Sequence, residues 1–591
     1  MGSVKHILLT ILLLSSTLLS LKAENSNLTF ELNTSKILKQ QFYKKRYLLL
    51  KHIDNKKFLQ RFYRQNSYLP LWLQEKGLNK EKYKTLFLHI NKDLTLSRKG
   101  QIFKHSQELS KQVDQNLSSQ EALRMELKLT SLYYDFLKHS IYGEIQWQNF
   151  SNKLRSLKRS RINASWVYHR PKISISKLLI NPNIAETIEE IKPKNFGYQG
   201  LVDGLAQLYN IKEAGGWKKL PYFKVLKSGS TGEIVVQLRQ RLTDSKDYTY
   251  CEEPSVIVTL ESNQSIESNL STESNSSLIL KEGNVSKESK HIDPDAIFGS
   301  CLDKAVKRFQ KRHGLEIDGI VGKSTQRTLN LTVEEKIKKV LLNIDRIKWL
   351  PRDDHQRYLI VNLPEFKLHY IEDKEIKKQI RVIIGDKKHP TPIFSQEISY
   401  VVLNPYWKIP EGIVRREIIP AMIKNRNYLR KHGLVARRTW SENSRLINVS
   451  NIYWEQYLWG GVKFPYRLMQ PPGPKNALGK IKFKFPNRFA VYLHDTPTRH
   501  LFKRNVRAFS HGCVRLDEPT SLLDVIASFN ERIDLPRAKK ILKGKRKVQL
   551  NIKNKLPIYL VYLTAGLNND KKLEFRNDIY RYDKFTKRSI K

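Results

Sequence analysis

The chain has 591 residues, too many for one hydrophobic core, and a soft prior of about 100–200 residues per domain predicts three or four domains. Its 106 Lys and Arg against 57 Asp and Glu give a formal charge of +49, spread along the chain rather than gathered in one tail, which suits a polyanionic environment. Three cysteines, an odd number, exclude complete pairing within the chain, and beyond the N-terminal run no segment is long and apolar enough to cross a membrane.

The N-terminus opens with a short basic stretch, followed by an apolar run over residues 7–21 and then Leu21-Lys22-Ala23, a cleavage-like site. The run falls short of the roughly 20 apolar residues that span a bilayer. Residues 1–23 are therefore read as a signal peptide, with membrane contact only through this segment were it uncleaved. Export decides between the two polyanions that such charge fits: an anionic cell envelope, periplasm included, is expected, and no nucleic-acid motif is present. In an oxidising compartment Cys251 and Cys301 bracket a polar stretch, and a bridge between them would close a loop of about 50 residues, worth about 4 kcal/mol in the chain-entropy model. Cys513 would then remain the free thiol.

Residues 27–218 repeat apolar side chains at three- and four-residue spacings, as in Leu129, Tyr133, Phe136 and Leu137, then Leu201, Leu205, Leu208 and Tyr209. A helical domain is expected, with Trp72, Trp147 and Trp217 as core rather than a ligand platform. Residues 219–332 form a second unit. Leu226-Lys227-Ser228-Gly229-Ser230-Thr231-Gly232 leads into an amphipathic segment, and after an interruption come Phe309-Gln310 and Asp318-Gly319-Ile320-Val321-Gly322. This set resembles the three-helix peptidoglycan-binding-like domain. Its interruption, at about 251–292, is rich in Ser, Glu and Asn and too polar to bury a core. Residues 333–351 are predicted as a connecting helix ended by Pro351.

From Arg357 the period becomes two. Phe366, Leu368 and Tyr370 alternate with polar residues, and residues 380–384 complete a predicted hairpin; further strands are expected at 400–403, 489–493 and 558–563. The expected class is multidomain α plus mostly β, with few helices in the last third. An interruption at about 411–470, with a helix-like 418–432 and Trp440, Trp454 and Trp459, is read as a lid.

The chemistry concentrates in His494-Asp495-Thr496-Pro497 and Ser510-His511-Gly512-Cys513-Val514-Arg515. A thiol becomes a useful nucleophile when a neighbouring base or positive field draws off its proton. Cys513 is the candidate nucleophile and His494, at a strand end, the candidate base. Gly512 frees the backbone so that the Gly512 and Cys513 amides can face a developing oxyanion. His511 is assigned a supporting role, and Arg515 offers a planar donor suited to a carboxylate. Two other readings compete: a buried small thiol with no chemistry, and an open zinc site built from His494, His511 and Cys513, which lacks the usual metal-ligand spacings.

The last third as a whole resembles the L,D-transpeptidase catalytic domain, whose signature is a histidine, a spacer of about 15 residues, and Ser-His-Gly-Cys with a polar residue two beyond. The resemblance continues in Asn404-Pro405-Tyr406-Trp407-Lys408-Ile409-Pro410, in Pro472-Gly473-Pro474-Lys475-Asn476-Ala477-Leu478-Gly479, and in Leu501-Phe502-Lys503-Arg504. It covers about two thirds of the chain and is similar to large envelope enzymes with a helical scaffold (27–218), a peptidoglycan-binding-like module (219–332) and a catalytic domain (352–591) carrying a capping subdomain (about 411–470). The resemblance implies that Cys513 attacks the third residue of a tetrapeptide stem through a thioester. An amine of a neighbouring stem, of the meso-diaminopimelate type, resolves it into a 3→3 cross-link. It also implies that Ser510, Arg515 and Tyr492 contact substrate, that no cofactor or metal is needed, and that peptidoglycan stems, with other wall-synthesis proteins, are the partners. An L,D-carboxypeptidase and a non-catalytic wall-binding protein are the alternatives.

Overall fold

The computed structural model describes residues 30, 33–42, 53–251, 293–458 and 462–586. The expected signal segment, nearly all of the polar insertion, and Trp459 lie outside them. Among the described residues no helix is long and apolar enough to cross a membrane.

The chain divides into two compact units, one of residues 208–336 and one comprising everything else. In the larger unit the N-terminal part is helical, as its periodicity predicts. The helix Ser119–Tyr142 begins with a reciprocal cap between Ser118 and Glu121 and stops at Gly143. Around it pack Lys56–Gln65, Lys80–Lys92 and Ile184–Glu190 over a core that includes Phe62, Leu86, Leu129, Tyr133, Ile188 and the fully buried Trp72. One buried carboxylate organises this core. Glu126 accepts the amides of Leu71, Trp72 and Leu73 at 2.7, 2.8 and 2.9 Å and the Tyr63 hydroxyl at 2.6 Å. Burial pushes its carboxyl above the usual range, and those donors oppose the push.

The C-terminal part of this unit is built on a nine-stranded sheet. Its strands are β1 (Arg357–Asn362), β2 (Lys367–Glu372), β3 (Glu375–Gly385), β4 (Phe394–Leu403), β5 (Ile481–Lys484), β6 (Leu493–His494), β7 (Ala508–Ser510), β8 (Val514–Leu516) and β9 (Val548–Val561). The order is β7-β3-β8-β6-β5-β4-β9-β1-β2, and β2 pairs β3 as well, so the order closes on itself. The helices Pro519–Ser528 and Leu535–Lys543 cover part of its apolar surface, contributing Leu522, Leu523, Ile526 and Ala538 to the core.

Two local expectations change. Residues 489–491 are not strand: Asn487 Oδ1 accepts the amides of Phe489 and Val491, and Ala490 takes φ +55°, so the chain turns there and only Leu493 and His494 pair. The helical stretch at 418–432 is broken into a π-turn Val414–Ile418 and the helices Ile419–Lys424 and Tyr428–Lys431. The π-turn falls just before Pro420, whose missing N–H interrupts the hydrogen-bond ladder.

Residues 145–169 join the core of this sheet. Val167 N donates to Ile393 O (2.8 Å) and Ile393 N to Ser165 O (3.0 Å), which adds this segment beside the start of β4. Its aromatics close around the buried Trp349, with ring centroids of Trp147, Phe150 and Trp166 at 5.2, 5.7 and 5.8 Å. Trp72 and Trp147 are therefore packing residues.

The insertion after β4 has its own core, including Ile409, Ile418, Met422, Leu429, Trp454 and Leu468, and a three-stranded sheet of Trp407–Lys408, Arg467–Gln470 and Val435–Arg437. Asn476 clasps its two ends: the buried amide donates to Pro405 O (2.9 Å), Gln470 O (3.0 Å) and Pro471 O (3.0 Å).

In the smaller unit, the helices Glu233–Asp244, Ser300–Arg312 and Lys323–Leu329 enclose Leu238, Leu302, Phe309 and Val321. Buried Gln310 explains the coupling of Phe-Gln to Asp-Gly: its Oε1 accepts the amides of Asp318 (3.1 Å) and Gly319 (3.0 Å), and its Nε2 donates to Asp318 Oδ1 (2.7 Å). Cys251 and Cys301 form a disulfide with Cα atoms 5.8 Å apart.

Replacing Glu126 with alanine leaves three amides and a hydroxyl without their buried acceptor, and a loss of about 3 kcal/mol is expected. Hydrogen exchange checks it: the amides of Leu71, Trp72 and Leu73 exchange faster in Glu126→Ala, and unchanged protection would contradict the assignment.

Candidate active site

The site is assembled by strand register. β6 lies parallel to β8 with Leu493 opposite Val514 and His494 opposite Arg515, and Val514 N donates to Tyr492 O at 3.2 Å. Tyr492 therefore stands opposite Cys513. Because side chains alternate along a strand, Tyr492, His494, Cys513 and Arg515 share one face. Antiparallel β5 adds a fifth member, with Lys482 opposite His494.

Cys513 is the free cysteine and is partly exposed. Burial raises its thiol above the ordinary value, while the Tyr492 backbone and hydroxyl and the charges of Lys482 and Lys484 pull the other way. Tyr492 touches both candidate groups: it hydrogen-bonds Cys513, and its ring centroid is 5.6 Å from that of His494. His494 is 5% exposed, and its Nδ1 donates to Asp495 O at 2.5 Å. The neutral ring thus carries its proton on Nδ1 and leaves Nε2 as an acceptor. Burial first, then the charges of Arg515 and Lys482, hold His494 down at about 3.

The turn before Cys513 is braced from within. Gly512 has φ +108°, a conformation that glycine adopts without strain. Ser510 Oγ accepts Gly512 N (3.1 Å) and donates to Cys513 O (2.5 Å). Behind the turn, Thr391 Oγ1 donates to Gly512 O (2.9 Å) and accepts Gly385 N (2.8 Å), and Asp386 N donates to Ser510 O (2.8 Å). The Gly512 amide, expected to face an oxyanion, is engaged by Ser510, while the Cys513 amide has no acceptor among the described residues. Ser510, expected to meet substrate, is 2% exposed and serves the turn.

His511 is engaged outside the strand row. Its Nε2 is 2.8 Å from Glu417 Oε1 in the π-turn of the insertion, and its ring is 4.6 Å from that of His389. The insertion therefore reaches the residue two before the thiol. Arg515 donates to Thr498 Oγ1 at 3.2 Å. Asp495 anchors the other loop: its carboxylate accepts Thr496 N (2.7 Å), Lys480 N (2.8 Å) and the Arg499 guanidinium. A side chain at Gly479, itself at φ +57°, would collide with it. Among the described residues no group of three or more His, Cys, Asp or Glu is arranged to hold a metal ion.

Sequence reading missed Lys482, Thr391, Asp386 and Glu417. Lys482 carried a weak signal, since residues 481–484 alternate apolar and basic side chains ahead of His494. The others depend on pairings across more than 90 residues.

The depressed His494 has a consequence for stability. The unfolded ring takes up a proton near pH 6.5 and the folded one only near 3, so its contribution is complete above about 6.5 and declines as pH falls towards 3. His494→Gln removes that decline. Denaturant titrations from pH 7 to pH 4 should show the stability difference between wild type and variant moving in favour of the variant; a difference independent of pH would contradict the neutral, buried ring.

Three segments of the chain match known families. Residues 356–535 match the L,D-transpeptidase catalytic domain, residues 57–205 a scaffold domain, and residues 286–329 a "Putative peptidoglycan binding domain". A Haemophilus influenzae protein described as "Putative L,D-transpeptidase" is 33% identical over 250 residues, 42% of this chain and 48% of that protein. The chain thus matches about half the length of this curated relative. Among solved structures, an L,D-transpeptidase from Xylanimonas cellulosilytica aligns at 14% identity and TM-score 0.18, covering 58% of this chain and 99% of that one. One from Stackebrandtia nassauensis aligns at 15% and 0.19, covering 58% and 96%. The segment that matches the L,D-transpeptidase catalytic domain, residues 356–535, contains His494 and the Ser510–Arg515 run.

Proposed function

We propose that this protein is a cysteine-dependent L,D-transpeptidase that forms 3→3 cross-links between peptidoglycan stem peptides. The observation that carries the reading is the placement of Cys513 and His494 on one sheet face with Tyr492 touching both, inside the segment that matches the catalytic domain. The peptidoglycan-binding match supports the substrate class. A peptidoglycan substrate also places the enzyme in the cell envelope, in keeping with the export reading of residues 1–23.

In this mechanism the Cys513 thiol gives its proton to His494 Nε2 as sulfur attacks the carbonyl of the third stem residue. The tetrahedral oxyanion is held by the Cys513 amide, the donor that the Ser510 brace leaves open. Collapse breaks the carbon–nitrogen bond. The terminal residue leaves as an amine with the proton from His494, and a thioester remains. The acceptor amine then attacks the thioester, His494 takes its excess proton, and the thiol is restored as the new amide forms. The neutral His494 suits the first step, because a ring already protonated could not accept from the thiol. The insertion that pairs Glu417 with His511 limits access of water to the thioester.

Incubation with purified tetrapeptide muropeptides and mass analysis of the products tests this reading. Cross-linked dimers are expected from wild type, and Cys513→Ala should lose at least about a thousandfold in rate while its far-UV spectrum is retained. Tripeptides without dimers would replace transpeptidation by carboxypeptidation, and undiminished turnover by Cys513→Ala would end the covalent mechanism.

A further inference from the structure

The reactive face holds more positive charge than the residues around it balance. Lys482, His494 and Arg515 form a row across β5, β6 and β8. Lys482 Nζ is 3.8 Å from the centroid of the Tyr492 ring, the same ring that meets His494 and Cys513. Among the described residues neither Lys482 nor Arg515 has a carboxylate within ion-pair distance. Arg515 has one side-chain hydrogen bond, to Thr498, and its buried Nε lacks an acceptor. The nearby Asp495 carboxylate is occupied by Arg499, Lys480 N and Thr496 N. Of the other charges acting on Lys482, those of Lys484, Lys408 and Lys547 have the same sign and only that of an ionised Cys513 is opposite, and Lys547 is paired with Glu442. A partly buried cation without a counter-charge is costly, and here two of them flank the base beside the nucleophile. An anion brought by the substrate would relieve both.

We propose that Lys482 is a specificity-determining residue that, opposite Arg515, receives a carboxylate of the peptide substrate beside Cys513. That the substrate is a stem peptide rests on the function proposed above. The two cations differ usefully: Arg515 offers a planar fork and Lys482 a compact point charge on the other side of His494. An anion between them also offsets the positive field that disfavours a proton on His494, so the base becomes more receptive when the correct substrate is present.

Alkylation of the single free thiol tests this without turnover. Cys513 reacts with anionic iodoacetate and with neutral iodoacetamide, and the ratio of the two rates reports recognition of a carboxylate at the thiol. Lys482→Met should lower the ratio about tenfold, and Lys482→Arg should keep it near the wild-type value. Lys482→Gln removes the same charge with a polar side chain and gives the measurement should the Met variant fail to fold. An unchanged ratio, or an equal fall in both rates, overturns the proposal, because Lys482 would then be silent or act on the thiol alone. Failure of the wild type to process stem peptides would sink the transpeptidase reading and leave the alkylation ratio intact, so the two ideas fail separately.

Discussion

The parallel pairing of β6 with β8 is the constraint on which the site depends. Two short strands put His494 opposite Arg515 and Tyr492 opposite Cys513. Parallel neighbours need a crossover, and here it is the loop from Asp495 to Arg507. That loop is held at both ends. Asp495 gathers Thr496, Lys480 and Arg499 at its start, and Arg507 donates to the carbonyls of Val382 (3.2 Å), Phe366 (3.1 Å) and Arg504 (2.9 Å) at its close. A register slip of one residue would send Tyr492 and His494 to the opposite face from Cys513, so the rigidity of these anchors is a requirement of the chemistry.

The rest of the larger unit stabilises that register. The helical N-terminal part contributes Phe150, Trp166 and their neighbours to the same core that contains Val514, Leu516 and Leu493. The exchange of backbone hydrogen bonds between residues 165–167 and Ile393 ties it beside the start of β4. At the other side the insertion is independent in its core but fastened at its base by Asn476 and in contact with the reactive turn through Glu417 and His511. A subdomain with its own apolar core, joined among the described residues by a narrow clasp and the ion pairs Glu417–His511 and Glu442–Lys547, is fastened to the sheet by few contacts.

The parts legible in sequence were those written in local patterns. Helical spacing marked the N-terminal domain, period-two alternation marked the first hairpin, and the cysteine count left Cys513 as the free thiol. The motif around Ser510 to Arg515 marked a candidate nucleophile, but a motif names residues without their hydrogen bonds. Gly512 and Ser510 looked like reaction and substrate groups, and three-dimensional structure gives them to the turn, because a glycine at φ +108° needs its amide and the next carbonyl satisfied locally. Residues 489–491 looked like strand because alternation cannot reveal that Asn487 will cap their amides. Lys482 was read past since a basic residue in a half-buried strand usually faces solvent; only the pairing of β5 with β6 places it against His494.

Burial and charge act on the two reactive groups in a way that favours a resting site without separated charge. Removal from water raises the thiol of Cys513 and lowers His494, so both prefer to be neutral; Lys482 and Lys484 draw the thiol towards thiolate while Arg515 and Lys482 drive a proton off the ring. The same positive field therefore favours loss of the proton from sulfur and disfavours its arrival on nitrogen. These opposed effects cannot be resolved by moving the pair deeper or shallower, since burial acts against the charged form of each. They are resolved by a negative charge that reaches the imidazole side of the row, which is where Lys482 and Arg515 stand. In the proposed mechanism, activation of Cys513 is thus tied to what occupies the cationic face, and that face is set by one arrangement of three strands.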